Sequence, residues 1–575
     1  MGDKSMTVKN PSYSHGSSEL SLLYLTLGEL LEHAAATFPD RECMVSVFQD
    51  VRFTYREFNE LTDNLAKGLL KLGVRRNEHV AIWSVNRWEW IVVQYATAKI
   101  GAVLVNINPA YRTHELEYAL QQSEAETIIL MDSFKSSLYR EMLLEVCPEI
   151  AECEEGKIKA DKLPQLKRVI NFDQKLPGQY LLADIIELGK GESAAKMREI
   201  LGKLEPDNDI NIQYTSGTTG FPKGVTLSHF NILNNGHHVA HIMQLKEGDR
   251  LCIPVPFYHC FGMVMSSIAC VSQGATMVLP APVFMPEEVF KAIDAEKCTA
   301  LNGVPTMFIA LLNHPDFAKY DVSHLRTGIM AGAPCPIDTM RAVIDKMNMV
   351  DVCIAYGQTE SSPVTTMTRG DDSLERRVGS VGRVMPMQEL KIINPATDAV
   401  VARGEQGEIC FRGYQVMNRY YNNPEATTEA IDTARWLHSG DLGVMDADGY
   451  VKITGRIKEM VICGGENLYP REIEEFLRGM PKVMDVYVIG VPDIKYGEEL
   501  MAWVLCRDGE QATEEEIRAY CKGKITHHKV PRYWKFVGTA EDFPMTVTGK
   551  IQKFKMRQIA IEELGLEDAA NVQTA

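Results

Sequence analysis

Short apolar runs alternate with stretches of helical length and period along most of this 575-residue chain, and nothing else in it restricts the fold as much. Val80-Ala81-Ile82-Trp83 is one such run, Trp88 to Ile100 has helical period, and Val103-Leu104-Val105 returns to strand character. Thr113 is placed to cap a helix carrying Leu116, Ala119 and Leu120, with Glu115 and Glu117 in the turn where the helix dipole favours them. Thr127 to Met131 closes the series. Strands that are apolar throughout are buried on both faces, and helices between them make them parallel. The expected class is α/β.

An amphipathic helix over Leu27 to Ala36 precedes this unit, and the alternation resumes through Ile253-Pro254-Val255, Met277 to Leu279, Ile329 to Ala331 and Val352 to Ala355. The charged stretch from Ala151 to Lys167 reads as a surface loop, and Glu205-Pro206-Asp207 as a boundary. Beyond about Gly455 the pattern changes to a compact α+β unit. It has a helix from Pro470 to Leu477, a strand at Val486 to Ile489 and a further helix opened by a capping box of Thr513 with Glu516.

Composition closes off several functions. At 45% hydrophobic and 24% charged residues the chain is neither disordered nor collagenous. Its 77 acidic against 60 basic residues give a net charge of −17, which repels a nucleic acid. Thirteen cysteines without CxxC spacing read as reduced thiols of an intracellular protein, not as disulfides. No apolar run has the length of a transmembrane segment, and the start of the chain lacks the arginine-rich character of a transit peptide.

The strongest local signal is Tyr214-Thr215-Ser216-Gly217-Thr218-Thr219-Gly220-Phe221-Pro222-Lys223-Gly224, directly after the strand-like Ile210 to Gln213. Such composition also suits a flexible linker. A lysine behind a proline after a strand favours phosphate binding, because glycines let the backbone approach closely and hydroxyls and amides donate hydrogen bonds. It is not a Walker A loop, since Pro222 and Gly224 stand where that motif has Gly and Ser/Thr. His237, His238 and His241 put two imidazoles one turn apart but lack an HExxH context, so metal binding is disfavoured. Lys522, Lys524, His527, His528, Lys529, Arg532 and Lys535 form a basic island that is either a solvated face or a dock for phosphates.

The loop from Thr215 to Gly224 resembles the signature of the adenylate-forming superfamily, which includes acyl-CoA synthetases, peptide-synthetase adenylation domains and beetle luciferases. Further landmarks follow in the order that superfamily has them: Gly332-Ala333-Pro334, Tyr356-Gly357-Gln358-Thr359-Glu360, Gly440-Asp441, Gly455 to Glu459, Gly464-Gly465-Glu466-Asn467 and Pro544 through Lys550. Asn108-Pro109-Ala110-Tyr111 and Tyr258-His259-Cys260 are similar to the medium-chain acyl-CoA ligases within it.

The resemblance implies a large N-terminal domain of layered sheets and helices over residues 1–456, whose active-site cleft faces a small mobile domain over 457–575. It implies ATP-dependent ligation of a fatty acid to CoA through an acyl-adenylate, with the mitochondrial matrix as compartment, or the cytoplasm if the N-terminus is complete. An adenylation module serving a carrier protein in trans and a catalytically silent acyl- or nucleotide-binding protein are the rival readings. By resemblance, Thr215, Ser216, Gly217, Thr218, Thr219, Gly220, Phe221, Pro222 and Lys223 hold the β- and γ-phosphates. Gly332, Ala333, Pro334, Tyr356 and Gly357 line the adenine slot, Thr359 touches phosphate, and Glu360 holds Mg²⁺. Asp441 and Arg456 bind the ribose. Taken singly, Asp441 is equally a turn residue, Tyr356 a core aromatic and Arg456 a solvated charge. Lys550 is implied as the catalytic cation of adenylation and Lys458 as the hinge. His259 is a gate to the acyl tunnel or a core histidine, Gly303 opens a pocket wall, and Gly465 lies beside the path of CoA.

Overall fold

The computed structural model describes residues 10–215, 222–333, 335–463, 466–522, 524–545 and 551–570. Two large sheets dominate it. In the eight-stranded sheet the strands run Arg419–Tyr420, Lys223–Ser228, Asp209–Thr215, Val103–Ile107, His79–Trp83, Thr127–Leu130, Arg168–Asn171 and Tyr180–Leu181. The last six are parallel, and Lys223–Ser228 and Arg419–Tyr420 add antiparallel at one edge. The nine-stranded sheet has a parallel centre of Asp351–Gly357, Thr327–Ala331, Ala300–Gly303, Arg250–Cys252, Thr276–Leu279 and Glu42–Ser46, with antiparallel strands at both edges.

Both sheets are covered on both faces, as their unbroken apolar strands require. Helices Leu27–Thr37, Tyr55–Lys71, Trp88–Ile100 and His229–Ile242 share one core with the inner faces of the two sheets. Trp88–Ile100 is buried all round, from Glu89 to Ile100, because it is sandwiched between layers. Outside the eight-stranded sheet lie helices Thr113–Gln122 and Tyr139–Val146, and outside the nine-stranded one lie Pro286–Glu296, Pro305–Leu312 and Ile337–Met347. Capping boxes at Thr26 with Glu29 and Thr54 with Glu57 satisfy the free amides where two inner helices begin.

A third, antiparallel sheet orders Tyr13–His15, Gln388–Ile393, Gly407–Gly413, Leu437–Met445 and Val451–Arg456. Its first strand pairs Tyr13 with Lys391 and His15 with Glu389, far along the chain. A fourth sheet is built only from residues 461–537, with helices Pro470–Arg478 and Glu514–Cys521 on one face and Lys553–Leu564 on the other. The α/β class and the change to α+β after Gly455 are both observed.

Three local expectations need correction. Arg112, not Thr113, is the N-cap of its helix, and the Glu115 carboxylate accepts the Arg112 amide at 2.8 Å. The strand expected over Ile253-Pro254-Val255 lies at Arg250–Cys252, and Ile253 adds one last amide bond to Val278 before Pro254 ends the donors. The stretch from Ala151 to Lys167 is not simply a surface loop: Ile158, Ala160, Leu163 and Leu166 are buried in the outer core of the eight-stranded sheet. All thirteen cysteines are free, and most are buried.

Candidate active site

Parallel strands of an α/β sheet offer ligands their carboxyl ends, where backbone turns away and leaves a crevice. In the nine-stranded sheet three neighbouring strands end at Gly303, Ala331 and Gly357. They place Gly303, Gly332 and Ala333, and the run Tyr356 to Glu360, along one rim. Gly332 takes φ +89°, a left-handed turn that suits glycine, and a Cβ there would stand 3.3 Å from Val304. Gly357 is packed so that a Cβ would come within 1.8 Å of the Pro363 carbonyl oxygen.

The antiparallel sheet brings Asp441 and Arg456 to this rim as directly paired residues of adjacent strands. Asp441 is buried; its Oδ2 accepts the Tyr356 hydroxyl at 2.7 Å and its Oδ1 the Arg456 Nε at 2.8 Å. Burial, with the Asp441 carboxylate beside it, pushes the Tyr356 phenol well up, so it stays a donor. Asp441 raises the Arg456 guanidinium against the opposing effect of burial. An ionised carboxylate has about four lone-pair sites, so two partners leave capacity for a diol.

Glu360 is held from the other side. Its Oε1 accepts the Tyr420 hydroxyl at 2.8 Å, and its carbonyl accepts the Met417 amide at 2.9 Å. The Lys223 ammonium sits 4.8 Å above the Tyr420 ring, which joins the end of the phosphate-loop motif to Glu360. Near Thr359 the buried Cys260 thiol donates to Gln213 Oε1 at 3.0 Å; burial pushes that thiol up to about 12, so it is no nucleophile. Segments near 213, 223, 260, 356–360, 420 and 441–456 thus converge. Sequence reasoning missed Tyr420 and Gln213, which belong to no motif and meet the site only through strand pairing.

His259 is exposed and caps its own helix, its Nδ1 accepting the Phe261 amide at 3.1 Å. His237 and His238 meet other partners: the His238 Nδ1 lies 3.0 Å from the Tyr414 hydroxyl and the His237 Nδ1 3.2 Å from Gln273 Nε2. Burial drives both imidazoles down to about 4. In the basic island, Lys529 pairs with Glu472 at 2.6 Å, Arg532 with Asp493 at 3.0 Å and Lys535 with Glu563 at 2.5 Å, so acidic neighbours neutralise three of its five Lys and Arg side chains. Among the described residues, Glu408, Cys410 and His438 bring ligand-type atoms within 4.8 Å of one another.

Ser216 to Phe221, Pro334, Gly465 and Lys550 lie outside the described residues. On either side of the stretch that contains Lys550, Met545 bridges Ile551 and the Gln552 amide donates to Pro544 at 2.8 Å. Lys553 follows, its ammonium 2.6 Å from Glu474 and 3.2 Å from Glu459. Lys458 is exposed in the short 3₁₀ turn Ile457–Glu459 between the third and fourth sheets.

A layered α/β body whose strand ends gather a tyrosine, a buried aspartate and an arginine, near Glu360 and Lys223, has the framework of a nucleotide-handling enzyme. The model of the AMP-binding enzyme family matches residues 31–421, and that of the AMP-binding enzyme C-terminal domain matches residues 472–550. The chain belongs to that family, and within it to the adenylate-forming acyl-CoA synthetases. It is 52% identical to the Bacillus subtilis protein YngI, named as an acyl-CoA synthetase, over 95% of this chain and 99% of that one. It is 43% identical to the mitochondrial medium-chain acyl-CoA ligase ACSF2 of Danio rerio, over 96% of this chain and 91% of the relative. Its fold matches that of the anthranilate CoA ligase AuaEII in complex with anthranoyl-AMP at a TM-score of 0.81 and 26% identity, over 96% and 99% of the two chains. Among the described residues no helix is long and apolar enough to cross a membrane.

Proposed function

We propose that the enzyme joins a fatty acid of medium chain length to CoA in two steps. A carboxylate oxygen of the acid attacks the α-phosphorus of ATP and pyrophosphate leaves. The CoA sulfur then attacks the acyl carbon and AMP leaves with the bonding electrons. The observation that carries this reading is the buried Asp441 carboxylate, fixed by Tyr356 and Arg456 at the strand ends with lone pairs to spare for the two ribose hydroxyls. Tyr356 lies against the adenine, and Gly332 with Ala333 leaves room for it. Lys223 offsets charge on the β- and γ-phosphates, and the hydroxyl-rich stretch from Thr215 donates hydrogen bonds to them.

The first step brings one anion to another, so its barrier falls by charge stabilisation and alignment, not through an enzyme nucleophile. Lys550 supplies the cation between carboxylate and α-phosphate, and Thr359 contacts the phosphate. Glu360, with one oxygen fixed by Tyr420, is a hard oxygen ligand of the kind Mg²⁺ takes. Bound there, the ion would neutralise charge on the phosphates. Residues 1–456 and 457–575 act as two bodies about Lys458, so that one pose presents Lys550 and the other presents Gly465 to CoA.

Val304 and Met307, beside Gly303, are half-buried apolar side chains that suit the wall of a fatty acyl site, with Phe308 packed behind them in the outer core and His259 as its gate. The medium-chain assignment draws support from the ACSF2 relatives, whose names also carry the mitochondrial label that the Bacillus relative lacks. The test is acid-dependent ATP–pyrophosphate exchange across straight-chain acids from acetate upward. A maximum at intermediate length is expected, and a preference for amino acids overturns the substrate. Lys550→Ala should lower exchange by about 10²-fold or more, the scale of losing one preorganised charge stabiliser, and leave thioester formation from premade acyl-adenylate intact. Equal loss of both half-reactions overturns the lysine's role.

A further inference from the structure

Beneath the bulged strand segment that presents Asp441 lies a pair of ionisable residues, the buried Glu408 and the half-buried His438, that the reaction does not use. Gly407–Gly413 and Leu437–Met445 are antiparallel neighbours, and their register shifts between Glu408 and Cys410. That irregularity is a bulge in the Leu437–Met445 strand, and it brings the buried Glu408 carboxylate under the segment from His438 to Asp441. Its Oε1 accepts the Gly440 amide at 3.0 Å, and its Oε2 lies 3.0 Å from His438 Nδ1. Gly440 takes φ +71°, and a Cβ there would meet nothing within 4 Å, so this glycine serves backbone conformation and not packing. A glycine in that conformation is the freest link in the segment, and Asp441 is the next residue. The bulge's other tether is Ser439, whose hydroxyl donates to the Ile409 carbonyl at 2.6 Å and accepts the Asp441 amide at 3.0 Å.

We propose that Glu408 and His438 are positioning residues for nucleotide binding: the carboxylate, steered by the imidazole, holds the Gly440 amide and so aims Asp441 at the ribose. The inference rests on the assignment of Asp441 to the ribose. A hydrogen bond from an amide to an ionised, buried carboxylate is of the strong, charge-assisted kind, suited to fixing one backbone geometry. The groups facing His438 are Glu408 and Cys410 from the paired strand, Asp432 with Oδ2 3.9 Å from Nε2, and Lys391 from the next strand. The hydrogen bond to Glu408 raises the imidazole above its ordinary value, against burial. A metal shared by Glu408, Cys410 and His438 is the competing occupant. The imidazole–carboxylate contact already engages two of its three ligand atoms, and burial raises the Cys410 thiol, which keeps its proton.

The experiment measures KM for ATP and kcat of the exchange reaction from pH 6 to 9 in the full chain and in Glu408→Gln, His438→Gln and Asp441→Asn. Glu408→Gln should raise KM for ATP about tenfold with kcat within about twofold, the pattern of lost uniform binding. In the native chain KM should rise as His438 loses its proton, and His438→Gln should flatten that rise. If KM does not move in Glu408→Gln, or KM, kcat and melting temperature worsen together in both variants, the inference is overturned. A response of KM to a zinc chelator would assign the cluster to a metal and also overturn it. Should Glu408→Gln fail to fold, the pH series of His438→Gln decides. Asp441→Asn separates the two levels: an unchanged KM there removes the ribose assignment itself, whereas a raised KM there with none in Glu408→Gln removes only the positioning role.

Discussion

Lys553 opens the helix Lys553–Leu564, where the positive end of the helix dipole disfavours an ammonium. Its partners explain the choice. Burial works against the charge, but Glu474 and Glu459 outweigh it and raise the lysine above its ordinary value. Glu474 is itself buried and accepts the Val488 amide at 2.8 Å, so it cannot follow a lost partner to water. Lys553→Met should therefore cost about 1–3 kcal/mol of unfolding free energy in a denaturant titration, the scale for removing one partner of a buried polar group, because Arg478 still faces Glu474 at 3.9 Å. Because the folded value is raised, this stabilisation is complete below the ordinary lysine range and is lost as pH climbs through the raised value. A cost that is already absent at neutral pH would contradict the account.

At the scale of elements, the strand Asp351–Gly357 carries Tyr356 to the rim and must stop there. Gly357→Ala would press a methyl group onto the Pro363 carbonyl, which is backbone and cannot swing aside. The strand end should shift, and with it the Tyr356 hydroxyl that meets Asp441. We expect nucleotide affinity to fall at least about tenfold, read as KM for ATP, since misplacement by about an ångström costs up to 10²-fold. Unchanged affinity would mean that the rim does not depend on this packing. The doubly buried strands at 79–83, 103–107 and 127–130 were legible because burial on both faces leaves uninterrupted apolar runs. The motif beginning at Thr215 stands out in the sequence because its glycines and hydroxyl residues occupy consecutive positions, although Ser216 to Phe221 lie outside the described residues. Tyr420, Glu408 and His438 were not, since each acts across a pairing that joins distant parts of the chain and leaves no local spacing to read. The buried side chains between 158 and 166 were hidden by charged neighbours on the outer side of the same loop.

At the scale of the molecule, a single turn, Ile457–Glu459, links the body that holds Asp441 to the unit that holds Lys553. Other contacts cross between them: Lys452 lies 3.5 Å from Glu475, and Arg456 lies 4.0 Å from Glu459 across Lys458. Such weak, solvent-screened pairs resist rotation little. Lys458→Pro fixes φ at the middle of the turn and should hold one pose. One half-reaction should then survive while overall turnover falls by about tenfold or more, as when a conformational step gates kcat. Both half-reactions at native rates would exclude a hinge there.

The edge strand Tyr13–His15 completes the antiparallel sheet only by finding residues 389–391. During synthesis it leaves the ribosome hundreds of residues before its partner exists, and contacts so distant in the chain form late. The sheet that carries Asp441 and Arg456 is thus sealed by a segment made hundreds of residues before its partner. A nascent chain arrested short of residue 389 would leave that edge open to pairing with a neighbour on the same message.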